Sequence, residues 1–227
     1  MEAESWALVY RGADLDTYPV LINLLLMSFR IFSDHHPPFV KYRVCNEAPG
    51  LCARISQPMT YNFTVDKARY GFQLPDLEAI DAGFRHLRRM DTTSPRTHNA
   101  LYFTYRAFHS HGWADAFLLM TNALESLFSK DTPGGATATM ALRAASLLGS
   151  QPGCTKSDIQ ALYDLRSAMT HGRLVANDDP GENLKQLEHL EFILVRCIRE
   201  LVARTAYRHY AKKDCRDRFM STLNTSA

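Results

Sequence analysis

Apolar side chains recur at helical spacing along most of this chain, and at strand spacing only near its start. The densest apolar run, Tyr18–Phe32, carries Asn23 and Arg30. It is shorter than the roughly 20 apolar residues of a membrane span, so it predicts a buried helix. The breaker His35-His36-Pro37-Pro38 follows. Phe39–Val44 then alternates polar and apolar residues as a half-buried strand does, and Asn46–Gly50 supplies turn residues. Thr60–Val65 is the expected second strand, so the region reads as a helix with a small hairpin.

From Pro75 onward the spacing is helical throughout. Asp76 is placed to cap a helix carrying Leu77, Ile80, Phe84 and Leu87 on one face. Further helices are expected near Arg96–Ser110, Ala114–Ser129 and Thr137–Leu148. Another runs from Asp158 to about Thr170, capped by Thr155 or Ser157 and closed by Gly172. A long last helix is expected from about Glu182 to Tyr210, with the stripe Leu187, Leu190, Ile193, Leu194, Cys197, Ile198 and Leu201. Short loops between these helices imply antiparallel neighbours. The predicted fold class is mainly α: an antiparallel helical bundle over residues 94–212. A small α+β appendage precedes it over 1–93, and a basic, flexible tail follows over 213–227.

Composition narrows the classes. Of 227 residues, 46% are hydrophobic and 22% charged, which is ordinary globular chemistry and excludes wholesale disorder. The net charge of +2 argues against a protein that coats nucleic acid through bulk positive charge, while leaving room for a local basic patch. The opening residues include Glu2 and Glu4 and lack the basic start of a signal peptide. The five cysteines are odd in number and scattered, so no disulfide framework is expected and the cytoplasm is the expected compartment. His35, His36, Cys45 and Cys52 are donor types suited to zinc, but their spacing is not one of the tight zinc patterns. Gly134-Gly135 lacks the Lys-Ser/Thr of a phosphate loop. No metal or cofactor is expected.

The candidate chemistry is an Arg-x4-His spacing. Four such pairs occur, Arg30/His35, Arg106/His111, Arg166/His171 and Arg204/His209, against roughly one expected by chance, so context must choose among them. Around Arg166-Ser167-Ala168-Met169-Thr170-His171 the context is rich. Leu162-Tyr163-Asp164-Leu165 leads in and Gly172-Arg173 leads out. Upstream stand Ala123-Leu124-Glu125-Ser126-Leu127-Phe128 and Arg143-Ala144-Ala145-Ser146-Leu147-Leu148. This ordered series, over roughly residues 97–205, resembles the HEPN superfamily and within it the Apea-like branch.

The resemblance implies a bundle that dimerises and a composite site built from the Arg166–His171 segments of two copies. It implies a metal-independent RNA endonuclease of the kind found in toxin–antitoxin and antiviral systems. Some members keep the fold without cleaving, so a non-catalytic dimer acting as a sensor or interaction module stands as the alternative. A regulatory protein partner is a further expectation. A third group, silenced by tyrosine modification, resembles Arg-x4-His-x-Tyr; here Arg173 stands in place of that tyrosine, which counts against this version. In a regular helix Arg166 and His171 project roughly 140° apart, so either the turn unwinds or a second copy completes the site.

The supporting residues are Glu125 and Ser167. Glu125 sits in an apolar stretch and reads either as a structural ion pair with Arg143 or Arg166, or as the group that orients Arg166. Ser167 reads as a phosphate contact or as plain surface. Arg173 and the series Arg204, Arg208 and Lys212, spaced at i, i+4, i+8, are the expected RNA contacts, with a solvated helix end as the other reading.

Overall fold

The computed structural model describes residues 18–32, 39–45, 52–58, 74–110, 112–129, 136–149, 151–171 and 180–225. These residues are mainly helical. The helices are α1 (Tyr18–Phe32), α2 (Leu74–Asp91), α3 (Pro95–Phe108), α4 (Trp113–Phe128), α5 (Ala136–Leu148), α6 (Lys156–Thr170), α7 (Pro180–Ala203) and α8 (Lys213–Thr225). A 3₁₀ segment, Ala206–Ala211, lies between α7 and α8, and strands β1 (Phe39–Cys45) and β2 (Cys52–Pro58) form an antiparallel pair.

Local chemistry starts α3 and α6, whereas α2 begins at Leu74, ahead of Asp76, the expected cap. The Ser94 side chain accepts from the Thr97 N–H while Thr97 reaches back to the Ser94 N–H, and Thr155 and Asp158 do the same for α6. The stripe of α7 is buried in full, from Leu187 at 2% exposure to Leu201 at 0%. It meets Phe117, Met120, Leu124 and Leu127 of α4 in one continuous core.

That core extends beyond the expected bundle. Leu24, Met27 and Ile31 of α1 and Leu87 and Met90 of α2 belong to it, so no seam falls at residue 93. Close helix approach explains part of this. A Cβ at Gly83 would overlap the Phe32 ring, and its absence lets α1 settle on α2. Arg30 closes the contact to α7, donating to both carboxylate oxygens of Glu191 at 2.6 and 2.7 Å with its guanidinium 4.2 Å from the Phe108 ring centre. Arg199 of α7 donates to the Ile31 carbonyl at the α1 C-terminus.

Three expectations change. The partner of β1 is β2, with Cys45 opposite Cys52 in the register, while Thr60–Val65 lies outside the described residues. The last long helix stops at Ala203, because Thr205 takes a left-handed backbone (φ 50°) and the chain continues as the 3₁₀ segment. The expected tail instead forms α8 from Lys213, which packs on α5 and buries Met220 and Leu223. No helix among the described residues is long and apolar enough to cross a membrane.

Candidate functional site

The centre of the site is α4, the helix against which α3, α6 and α7 all pack. Tyr163 of α6 is 2% exposed and donates its hydroxyl to the Thr121 carbonyl at 2.9 Å. Burial, and next the Glu125 carboxylate nearby, push this phenol well above its ordinary range, so it remains a donor. The bond pins α6 to α4. One turn later on α6, Arg166 therefore lies over Asn122 and Glu125, which sit on α4 just past Thr121.

Arg166 is held loosely there. Its Nη1 stands 3.3 Å from Glu125 Oε1, and its Nη2 donates to Glu125 Oε2 at 3.4 Å and to Asn122 Oδ1 at 3.5 Å. Tight charge-assisted bonds run about 2.7–2.9 Å. The buried Arg166 Nε has no hydrogen-bond partner among the described residues. Both side chains are about a third exposed, at 29% and 34%.

Between the two sequence-stated partners for Glu125, the structure selects Arg166. Arg143 lies elsewhere, donating to the Phe128 carbonyl at 2.8 Å and to Asn224 Oδ1. Glu125 is half-buried, whereas its apolar sequence neighbours suggested a core position. It lines an open cleft of about 460 Å³ between α3 and α4. Arg96, Asn99 and Phe103 of α3 face Asn122, Glu125 and Ser126 of α4 across it.

His171 ends α6. Its N–H still bonds the Ser167 carbonyl at 3.1 Å, and its backbone sits at φ −94°, ψ 10°, so the helix does not unwind before it. The His171 side chain is exposed and takes no hydrogen-bond or ion-pair partner among the described residues. Arg166 turns toward α4, and no such bond links it to His171 within one chain. The helix is thus regular up to His171, and the turn from Gly172 onward lies outside the described residues. Ser167 is exposed, and Thr170 donates back to the Arg166 and Ser167 carbonyls.

The other expected residues are dispersed. Arg173 and His111 lie outside the described residues, as do His35 and His36. Arg204 pairs with Glu200 at 2.8 Å, and Arg208 and Lys212 are exposed. These three do not share one α-helical face, because α7 ends before the first of them. The rival pairs have their own partners. Arg30 is the buried tie to Glu191, Arg106 donates to the Tyr102 hydroxyl, and the His209 ring stacks on Phe219 at 5.0 Å. No cluster of metal-ligating side chains occurs among the described residues.

Sequence reading missed Asn99, Phe103 and Asn122. Asn122 did carry a signal: an amide inside an apolar helix, one turn before Glu125, where helix propensity disfavours it. No protein-family model matches the chain, and comparisons with curated proteins and with solved structures return no match.

Proposed function

We propose that this chain is a HEPN-type RNA endonuclease that works as a homodimer, its helical bundle carrying the N-terminal hairpin as an appendage. The observation that supports this most is the state of Arg166: on a helix pinned to α4 by Tyr163, about a third exposed, and held only by long contacts. Long contacts on a partly exposed side chain leave guanidinium Nη–H groups that can turn to a phosphate.

In this reading a two-fold axis apposes the ends of α6 from two copies. One His171 takes the proton from the ribose 2′-OH as that oxygen attacks the adjacent phosphorus. The 5′-oxygen leaves and takes a proton from the second His171. Arg166 neutralises the charge growing on the phosphate oxygens. An imidazole can both take up and release a proton in such a reaction, which suits both roles. The chemistry needs no metal, and DNA lacks the nucleophile. A cytoplasmic toxin or antiviral effector, under the control of a protein partner, fits such an activity.

The test is incubation of the purified protein with RNA in EDTA. Products should end in a 2′,3′-cyclic phosphate and a 5′-hydroxyl. A 2′-O-methyl group at the scissile nucleotide should block cutting. His171→Ala should slow cleavage by roughly 10² to 10⁴. Equal rates for His171→Ala and wild type would sink the assignment. The absence of an Arg166–His171 contact within one chain favours a second reading, a non-catalytic dimer that binds RNA or protein, and that outcome would select it.

A further inference from the structure

We propose that the cleft between α3 and α4 is a nucleobase subsite, selective for a base bearing an exocyclic amino group. The inference rests on the RNA reading for the source of that base, and it adds what the site recognises.

The lining is suited to a base and poorly suited to a phosphate. Phe103 offers a half-buried aromatic ring, and Asn99 and Asn122 offer carboxamides from opposite walls. Glu125 adds carboxylate oxygens that accept hydrogen bonds. Arg96, the cation of the lining, is turned toward protein groups. Arg96 donates to the Ser126 carbonyl at 3.1 Å and to Ser129 Oγ at 3.2 Å, at the C-terminal end of α4. An anion entering here would meet a carboxylate and helix-end carbonyls.

A base meets complementary groups instead. A carboxamide matches the paired donor and acceptor on an adenine edge, and a carboxylate accepts from a cytosine amino group. Uracil has no exocyclic amine to donate. The volume of about 460 Å³ lies within the usual range of about 300–1,000 Å³ for small-molecule clefts.

The same face of α3 continues past the cleft. Arg96, Asn99, Phe103 and Arg106 follow one another at steps of three and four residues, which is one helix face. Next to Phe103, Tyr102 is 46% exposed, with the Arg106 guanidinium 5.8 Å from its ring centre. Exposed aromatic and guanidinium surfaces are where unstacked bases of single-stranded RNA settle. Because Asn122 and Glu125 serve both this cleft and Arg166, a base seated here would set which phosphate reaches the arginine.

The experiment uses the full chain, labelled with ¹⁵N, in EDTA. AMP, CMP, GMP, UMP and ribose 5-phosphate are titrated separately while side-chain amide signals are followed by NMR. Asn99→Ala identifies the Asn99 signal by its loss. At least one amino-bearing nucleotide should shift the Asn99 and Asn122 signals, with UMP binding at least tenfold more weakly and ribose 5-phosphate not at all. Asn99→Ala and the apolar-preserving Phe103→Leu should each weaken binding by about tenfold. UMP or ribose 5-phosphate binding as tightly as the amino-bearing nucleotides, no response to any nucleotide, or an unchanged affinity in Asn99→Ala would overturn the subsite. The two proposals fail separately. His171-dependent cleavage without base selectivity would leave the nuclease and remove the subsite. Base-selective binding without cleavage would leave the subsite on a non-catalytic module.

Discussion

Two arginine–glutamate pairs tie neighbouring helices together in this molecule, and they differ in almost every physical respect. Arg30 of α1 meets Glu191 of α7 at 2.6 Å, with side chains only 3% and 12% exposed, and rests on the Phe108 ring. Arg166 of α6 meets Glu125 of α4 at 3.3 Å, a third exposed, with an orphaned Nε and an open cleft beside it. The first pair is short and enclosed, as a buried charge must be to offset its desolvation. The second gains little stability from its geometry and keeps hydrogen-bonding capacity in reserve. Saturation, rather than the identity of the two residues, separates a structural pair from a candidate site.

The comparison breaks first at its buried end. Arg30→Ala should cost about 3–5 kcal/mol by leaving Glu191 charged and unpaired in the core. Arg30→Met with Glu191→Leu should recover most of that loss in a denaturant titration. If Arg30→Ala melts like wild type, the pair is not what docks α1 on α7. At the exposed end, Arg166→Ala should change stability by less than about 1 kcal/mol, as partly exposed pairs do. A loss near that of Arg30→Ala would make Arg166 a structural residue. Tyr163→Phe lies between these, removing one buried hydrogen bond worth about 1 kcal/mol. It should also loosen the aim of Arg166, so cleavage should fall more than stability does.

The smallest expected effect concerns acid. Burial first, then the nearby Arg89 and Arg208 charges, hold His86 below its ordinary 6.5, and its Nδ1 lies 3.1 Å from the Tyr207 hydroxyl. The unfolded chain therefore binds this proton more readily than the folded one. The His86 contribution is full above about pH 6.5 and is lost as pH falls from there toward the lower folded-state value. His86→Gln should flatten that part of a stability-against-pH curve. An unchanged slope would place the acid sensitivity elsewhere.

Much of the fold was legible because periodicity and capping are local. The stripe of α7 and the cap at Thr155 each follow from a few neighbouring residues. The end of α7 was not, because nothing marks a threonine as left-handed; the β-branched Thr205 is disfavoured there, and only its surroundings hold it. The pairing of Phe39–Cys45 with Cys52–Pro58 was not legible either, because Cys52–Pro58 is poor in strand formers and lacks a clean alternation. At the site, the link from Glu125 to Arg166 was legible as one of two options. Asn99 and Phe103 were not, since they become neighbours of Glu125 only when α3 packs on α4.

The most direct test of the central claim is the initial rate at which Arg166→Ala cleaves a short RNA in EDTA, compared with wild type at equal folded fraction. If Arg166 is kept unsaturated for a phosphate, the rate should fall by roughly 10²–10³, the worth of one preorganised charge-stabilising donor, while the melting curve barely moves. An Arg166→Ala variant that cleaves as fast as wild type would contradict it.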